Sequence, residues 1–271
     1  MTEPISAVAP CVNPSFRLLF RHADFVLVDK AAGVSFHSED GPGLVVAVEK
    51  ALGQKLYAVH RLDKVTSGLL LLATSSQAAA RFTAMFSARL INKFYLALSL
   101  SKPKQKQGWV KGDMQAARRG AYKLCSSSKD PALTYFLSAG FDTPVTGLPE
   151  GARLFLLKPY SGKTHQLRVA LKSQSAAIAG DLLYQGAPAD RVYLHAYALS
   201  FDWQGEQHQF VCPPTQGNWF QLPALQQKIA AEWSQPWTMA FPQLKQQSHS
   251  RLQKDGAAPG EEPLVEEIYD V

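Results

Sequence analysis

Between an apolar run ending at Val59 and a second running from Leu69 to Ala73, the chain reads His60-Arg61-Leu62-Asp63-Lys64-Val65-Thr66-Ser67-Gly68. The turn formers Thr66, Ser67 and Gly68 lead into four consecutive leucines, a stretch too short for a helix and best read as a buried strand. An aspartate in such a loop is held rigidly and partly shielded from water, the two conditions that a nucleophile or a general base requires. Asp63 could equally cap a turn or pair with Arg61 or Lys64, as aspartates in strand-connecting loops often do. Further along, Tyr160-Ser161-Gly162-Lys163-Thr164-His165-Gln166-Leu167-Arg168 brings two cations and an imidazole to the start of a helix. A histidine opening a helix reads as a hydrogen-bonded structural residue. Arg168 reads as an exposed helix arginine or as the partner of a buried carboxylate. In Phe94-Tyr95-Leu96-Ala97-Leu98, alternation puts Tyr95 on one face with Ala97 and Ser99, where a core tyrosine is the plain reading.

The elements that must position these groups are short. Strand-like runs rich in Val, Leu, Tyr or Phe fall at 25–29, 56–60, 69–73, 94–100, 133–138, 153–158, 192–199 and 208–212. Helical spacing appears at 76–90, through Ala79, Phe82, Met85, Phe86 and Leu90. A shorter helix is expected at 164–174, on Leu167, Ala170 and Leu171, with Lys172 on another face. A third is expected at 222–233, on Leu225, Ile229 and Ala230. Many strands, few helices and little strand–helix alternation predict an α+β fold on a mainly antiparallel sheet. Residues 1–15 are expected to be a flexible arm, 16–240 a single catalytic domain and 241–271 a disordered acidic tail. The Lys- and Gln-rich segment 101–120 is expected to be an insertion, a solvated hairpin tip or an RNA contact.

Composition narrows the function class. No apolar run approaches the roughly 18 residues that span a bilayer. The N-terminus has none of the features of a secretion signal. Cys11, Cys125 and Cys212 are unpaired in number and far apart, which argues against a disulfide framework or a zinc site and fits a cytoplasmic location. No metal-ligand spacing or Gly-rich phosphate loop is present. Residues 1–254 hold all 28 basic residues against 16 acidic ones, a net of +12, and six acids follow from Asp255 onward. A body so basic is drawn to polyanions, RNA among them.

The Asp63 segment resembles the signature of the RluA-type pseudouridine synthases, His-Arg-Leu-Asp, two variable residues, then Ser-Gly-Leu-Leu. Phe25-Val26-Leu27-Val28-Asp29-Lys30-Ala31-Ala32-Gly33 is similar to that family's opening strand and turn. Asn92-Lys93-Phe94-Tyr95 is similar to its Lys-x-Tyr strand. Pro159 to Val169 resembles its third motif, Gly180-Asp181 with Tyr184 the next, and Leu194 to Leu199 a late strand. Six segments in the family's order make the resemblance specific. Two departures stand out: Ala31 replaces a usual proline, and Ala170 a usual histidine.

The resemblance implies a single domain on a mixed, mainly antiparallel sheet with a central cleft and flanking helices. It implies isomerisation of uridine to pseudouridine in structured ribosomal or transfer RNA, with no cofactor and no metal. The bond from ribose C1′ to uracil N1 breaks and C1′ rejoins at C5. By resemblance Asp63 is the catalytic carboxylate, either adding to C1′ or removing the 2′ proton. Arg168 is its ion-pair partner, and Tyr95 stacks on the target uracil. Arg61, His60 and Lys163 are expected to contact the substrate; an Arg61 ion pair to Asp63 is the alternative. Only about 24 residues precede Phe25, fewer than the S4-type RNA-binding domain that many relatives carry, so recognition is expected to rest on the catalytic body, working as a monomer. Two other classes stay open: a non-catalytic RNA-binding protein of this fold, and a nucleoside or base glycosidase. The latter needs a second carboxylate to activate water, for which the neighbouring motifs offer only Asp181.

Overall fold

Strand propensity and burial coincide most strongly where the leucines cluster. In the computed structural model, which describes residues 13–36 and 43–244, Ser67–Ala73 is a strand buried along its whole length. Leu70, Leu71 and Leu72 are fully enclosed, each worth about 2 kcal/mol of transfer from water. The strands in chain order are β1 (Phe16–Arg21), β2 (Phe25–Lys30), β3 (Tyr57–Ala58), β4 (Ser67–Ala73), β5 (Asn92–Ser99) and β6 (Gln107–Gly112). There follow β7 (Met114–Ala116), β8 (Tyr122–Leu124), β9 (Ala132–Ala139), β10 (Arg153–Pro159), β11 (Leu194–Trp203) and β12 (Glu206–Val211). The helices are α1 (Leu44–Leu52), α2 (Ser76–Ser87), α3 (Gln166–Ser173) and α4 (Pro223–Trp233).

Ten strands form one sheet in the order β1-β2-β4-β11-β5-β10-β9-β6, with β12 added on β11 and β3 on β4. Every pairing is antiparallel except β4 with β11. That parallel contact is short, His195 opposite Ser67 and Ala196 opposite Gly68, and it decides where the Asp63 loop sits. Gly68 has φ +107°, and a Cβ there would lie 2.2 Å from the Ala196 carbonyl oxygen, so no other residue fits. The fold is therefore α+β on a mixed, mainly antiparallel sheet, as expected.

Some elements differ from the sequence reading. The run at 56–60 narrows to Tyr57–Ala58, because the chain turns into the cleft at Val59. Helix α2 ends at Ser87, which leaves Leu90 beyond it and 61% exposed rather than on an inner face. In α4, Ala230 is exposed and Trp233 joins Leu225 and Ile229 inside. Residues 101–120 are more ordered than an insertion: they hold the edge strand β6 and most of a small β7–β8 ribbon tipped by Arg118 and Arg119. The compact unit ends at Phe241. The expected arm and tail fall on residues 1–12 and 245–271, outside the described residues, apart from their inner ends.

Candidate active site

A cleft of about 490 Å³ opens between the loop that follows β3, strand β5 and the segment joining β10 to α3. Asp63, Arg61, His60, Tyr95, Lys163 and Arg168 all line it, though they come from three distant stretches of chain. The Asp63 carboxylate keeps 21% of its side-chain surface exposed, enough to meet a substrate.

The loop beneath Asp63 is fastened from below. Lys30 is fully buried, and its Nζ donates to the carbonyls of Ala31 (2.8 Å), Lys64 (3.1 Å) and Thr66 (2.8 Å). Burial pushes the Lys30 ammonium down to about 7, while three carbonyl partners use all three N–H groups that only the charged form supplies. Gly33 N–H donates to the Lys64 carbonyl, and Thr66 N–H to that of Asp63. At the loop's far end, Ser67 Oγ donates to His195 Nδ1 (2.7 Å) and accepts from Arg191 Nη2 (2.8 Å). His195 Nε2 donates in turn to the Cys212 carbonyl (2.7 Å), which fixes the neutral tautomer. Burial holds this imidazole down to about 3, so the anchor is uncharged at any working pH.

Arg168 is 5% exposed and lies between two carboxylates. Its Nε and Nη2 make a forked pair with Asp181, at 2.7 and 2.8 Å, and its Nη1 is 3.6 Å from Asp63 Oδ2. The expected pair with Asp63 is thus present, but as the longer of two. Sequence reasoning passed over the tighter partner, Asp181, which is 1% exposed, although a buried arginine always calls for a buried anion. Burial works against the charge on Arg168; the hydrogen bonds and charge of Asp181, with Asp63 adding, more than offset it. The guanidinium also lies 4.9 Å over the Tyr184 ring. Gly180, beside Asp181, lets its segment pass close against Arg191, since a Cβ there would sit 1.8 Å from the Arg191 carbonyl oxygen.

Tyr95 is buried in β5 beside the cleft, and burial together with the nearby Asp63 charge pushes its phenol well above the ordinary range. His60 accepts the Leu71 N–H on Nε2 (2.9 Å) and packs against the Phe86 ring. Burial brings it down to about 3, so it meets a substrate only as a neutral wall, not as a cation for phosphate. Arg61 is exposed at the mouth, and the ion pair made by Asp63 among the described residues is with Arg168. Lys163 is tied to Asp130 by an ion pair. His165 has left-handed backbone (φ 56°) and shares a hydrogen bond with Tyr184 Oη, which also accepts the Tyr122 N–H and so attaches the β7–β8 ribbon to the cleft rim. Lys93 also lines the cleft, with burial lowering it to about 8. It stands in the same short segment as Tyr95, where its cation was the overlooked signal.

A family model described as RNA pseudouridylate synthase matches residues 24–173, which include Asp63, Tyr95 and Arg168. The chain belongs to that family. An uncharacterized RNA pseudouridine synthase of Haemophilus influenzae is 44% identical over 224 residues, 81% of this chain and 97% of its own length. The dual-specificity RNA pseudouridine synthase RluA of Vibrio parahaemolyticus is 28% identical over 205 residues, 71% of this chain and 80% of its own. Among solved structures, human RNA pseudouridylate synthase domain containing 1 superposes with a TM-score of 0.64 at 25% identity, covering 78% of this chain and 86% of that one. As an RNA pseudouridine synthase of the RluA type, the protein is an isomerase that acts on RNA.

Proposed function

We propose that Asp63 is the carboxylate that acts at the ribose when the C1′–N1 bond breaks, and that Tyr95 stacks on the uracil while it turns to offer C5. The observation that carries this reading is the Asp63–Arg168 pair at the cleft floor, with Asp181 behind it. A guanidinium already committed to Asp181 stays charged and in place while Asp63 reacts. Arg168 in this reading positions and stabilises, and is not itself consumed. Arg61 at the mouth holds the flipped nucleotide or fills the space it leaves, at a site where extrusion of a paired base costs a few kcal/mol. His60 shapes the wall, and Lys163 exchanges Asp130 for a phosphate. The substrate is a uridine in structured ribosomal or transfer RNA, and the enzyme works as a cytoplasmic monomer.

Hydrolysis to free uracil is less well supported. It needs a second carboxylate to activate water. Asp181, the carboxylate behind Asp63 at the cleft floor, gives both oxygens to Arg168. The deciding experiment maps pseudouridine in total RNA from cells with and without the gene, by carbodiimide labelling and primer extension. Wild-type protein should restore a specific stop, and Asp63→Asn should not, while still binding the RNA. Restoration by Asp63→Asn would remove Asp63 from the mechanism.

A further inference from the structure

On the sheet face opposite Tyr95, three adjacent strands carry one row of cross-strand partners. Trp109 of β6 lies across from Tyr135 of β9, and Tyr135 across from Lys158 of β10. Leu157, the residue before Lys158, is the one that pairs with Tyr95, which puts the row on the other face. The Trp109 ring is 4.9 Å from that of Tyr160 and 5.4 Å from that of Tyr135. Two ammonium groups complete the cluster. Lys111 Nζ sits 4.5 Å over Trp109, and Lys158 Nζ sits 5.1 Å from Tyr160 and 5.4 Å from Phe94 and Phe241.

Neither lysine has a carboxylate or hydrogen-bond partner among the described residues; each faces only rings. A packing role alone would not explain Lys158, a half-buried cation on an aromatic floor that gives up hydration without an anion in return, while Lys111 stands exposed over the outer ring. Half-buried rings beside free ammonium groups match the chemistry of a nucleotide, whose base stacks and whose phosphate takes the charge. Lys158 and Tyr160 also line the cleft, so the cluster and the Asp63 site share a wall.

We propose that Trp109, Tyr135, Tyr160, Lys111 and Lys158 form a second nucleotide subsite, which holds one unpaired nucleotide of the RNA strand beside the target uridine. The base stacks on the Trp109 and Tyr160 rings, and the phosphates bind Lys158 and Lys111. Two strand spacings separate the ends of the row, about 10 Å, room for one base and its phosphate. The subsite rests on the reading that the cleft receives the target uridine.

The test uses the full chain and two fluorescein-labelled probes of about 12 nucleotides, one oligouridylate and one abasic strand with the same number of phosphates. Trp109→Leu should weaken oligouridylate binding about tenfold and leave the abasic strand unchanged. Lys111→Gln, an exposed change that cannot unfold the sheet, should weaken both strands alike and lower the salt slope by about one. Equal losses on both probes with Trp109→Leu, or unchanged binding by Lys111→Gln, would overturn the subsite. Tighter binding by Trp109→Leu would do so too, assigning the face to another stretch of this chain or to a second copy. Pseudouridine formation by the wild type, measured in parallel, separates the two readings: its absence sinks the reaction at the cleft, whereas its presence with indifferent variants sinks the subsite alone.

Discussion

Arg168 divides its guanidinium unequally, with two N–H groups on Asp181 and a longer approach to Asp63. The inequality can be tested by removing each carboxylate in turn. Asp181→Asn breaks a buried pair and should cost about 3–5 kcal/mol of stability. With Arg168 freed to shift, kcat should fall on the order of a hundredfold at nearly constant RNA affinity. Asp63→Asn removes the longer, partly exposed contact and should leave the denaturation midpoint almost where it was. Equal stability of Asp181→Asn and the wild type would show that Arg168 is held by other means. Lys93 offers a pH test. Because burial lowers it to about 8, its ammonium is present below that pH and lost above it. RNA affinity measured by anisotropy across about pH 6.5 to 9.5 should therefore weaken above 8, by at most about tenfold per unit, and Lys93→Met should flatten the profile. His60, near 3, stays neutral throughout and cannot carry the transition. A midpoint near 7 that survived the substitution would report Lys30 instead.

At the scale of elements, the parallel contact between β4 and β11 is the joint on which the site depends. Gly68→Ala would drive a Cβ into the Ala196 backbone. We expect a loss of about 3 kcal/mol or more, with activity falling along with the folded fraction in a urea titration. An unchanged midpoint would mean that the two strands separate at no cost. The strands around this joint were legible in the sequence because each is largely apolar and buried on both faces along nearly its whole length, β2, β4 and β11 above all. What escaped notice lies at the margins. Strand β1 interrupts its apolar pattern with Arg17 and Arg21, because its outer side meets solvent and Asp29. Helix α1 opens with three valines in five residues, which favour strands, and becomes helical between Gly43 and a left-handed Gly53. Strand β6 looks like a charged linker because an edge strand needs only one buried side. Of the site, Asp63, Tyr95 and Arg168 were visible as motif residues. Asp181 as the tight ion-pair partner, Lys30 under the loop and the Ser67–His195 anchor were not, since each depends on contacts between segments that no local spacing encodes.

Taken as a whole, the molecule gathers several of its cations around the cleft. Arg61, Arg89, Lys93 and Lys158 line it without a carboxylate partner among the described residues, whereas Lys163 and Arg168 are already paired. Four phosphate contacts to a single strand correspond to a salt slope of about −2.8, or roughly a 50-fold loss of affinity between 50 and 200 mM salt. A slope near zero would mean that the cleft does not carry the RNA backbone. The Ser67–His195 anchor has a further consequence, which concerns the ribosome that makes the enzyme. Its two residues are 128 positions apart, so at ordinary rates of synthesis roughly 6 to 26 s pass between their appearances. Throughout that interval the nascent chain carries Asp63 past abundant RNA without the closing strand, and for most of it without Arg168, to form a pocket around it. A chain released early by a stalled ribosome has the whole loop in its sequence and no means of using it. The long-range topology therefore acts as a timer, delaying chemistry until the part of the protein that shapes the cleft has been made.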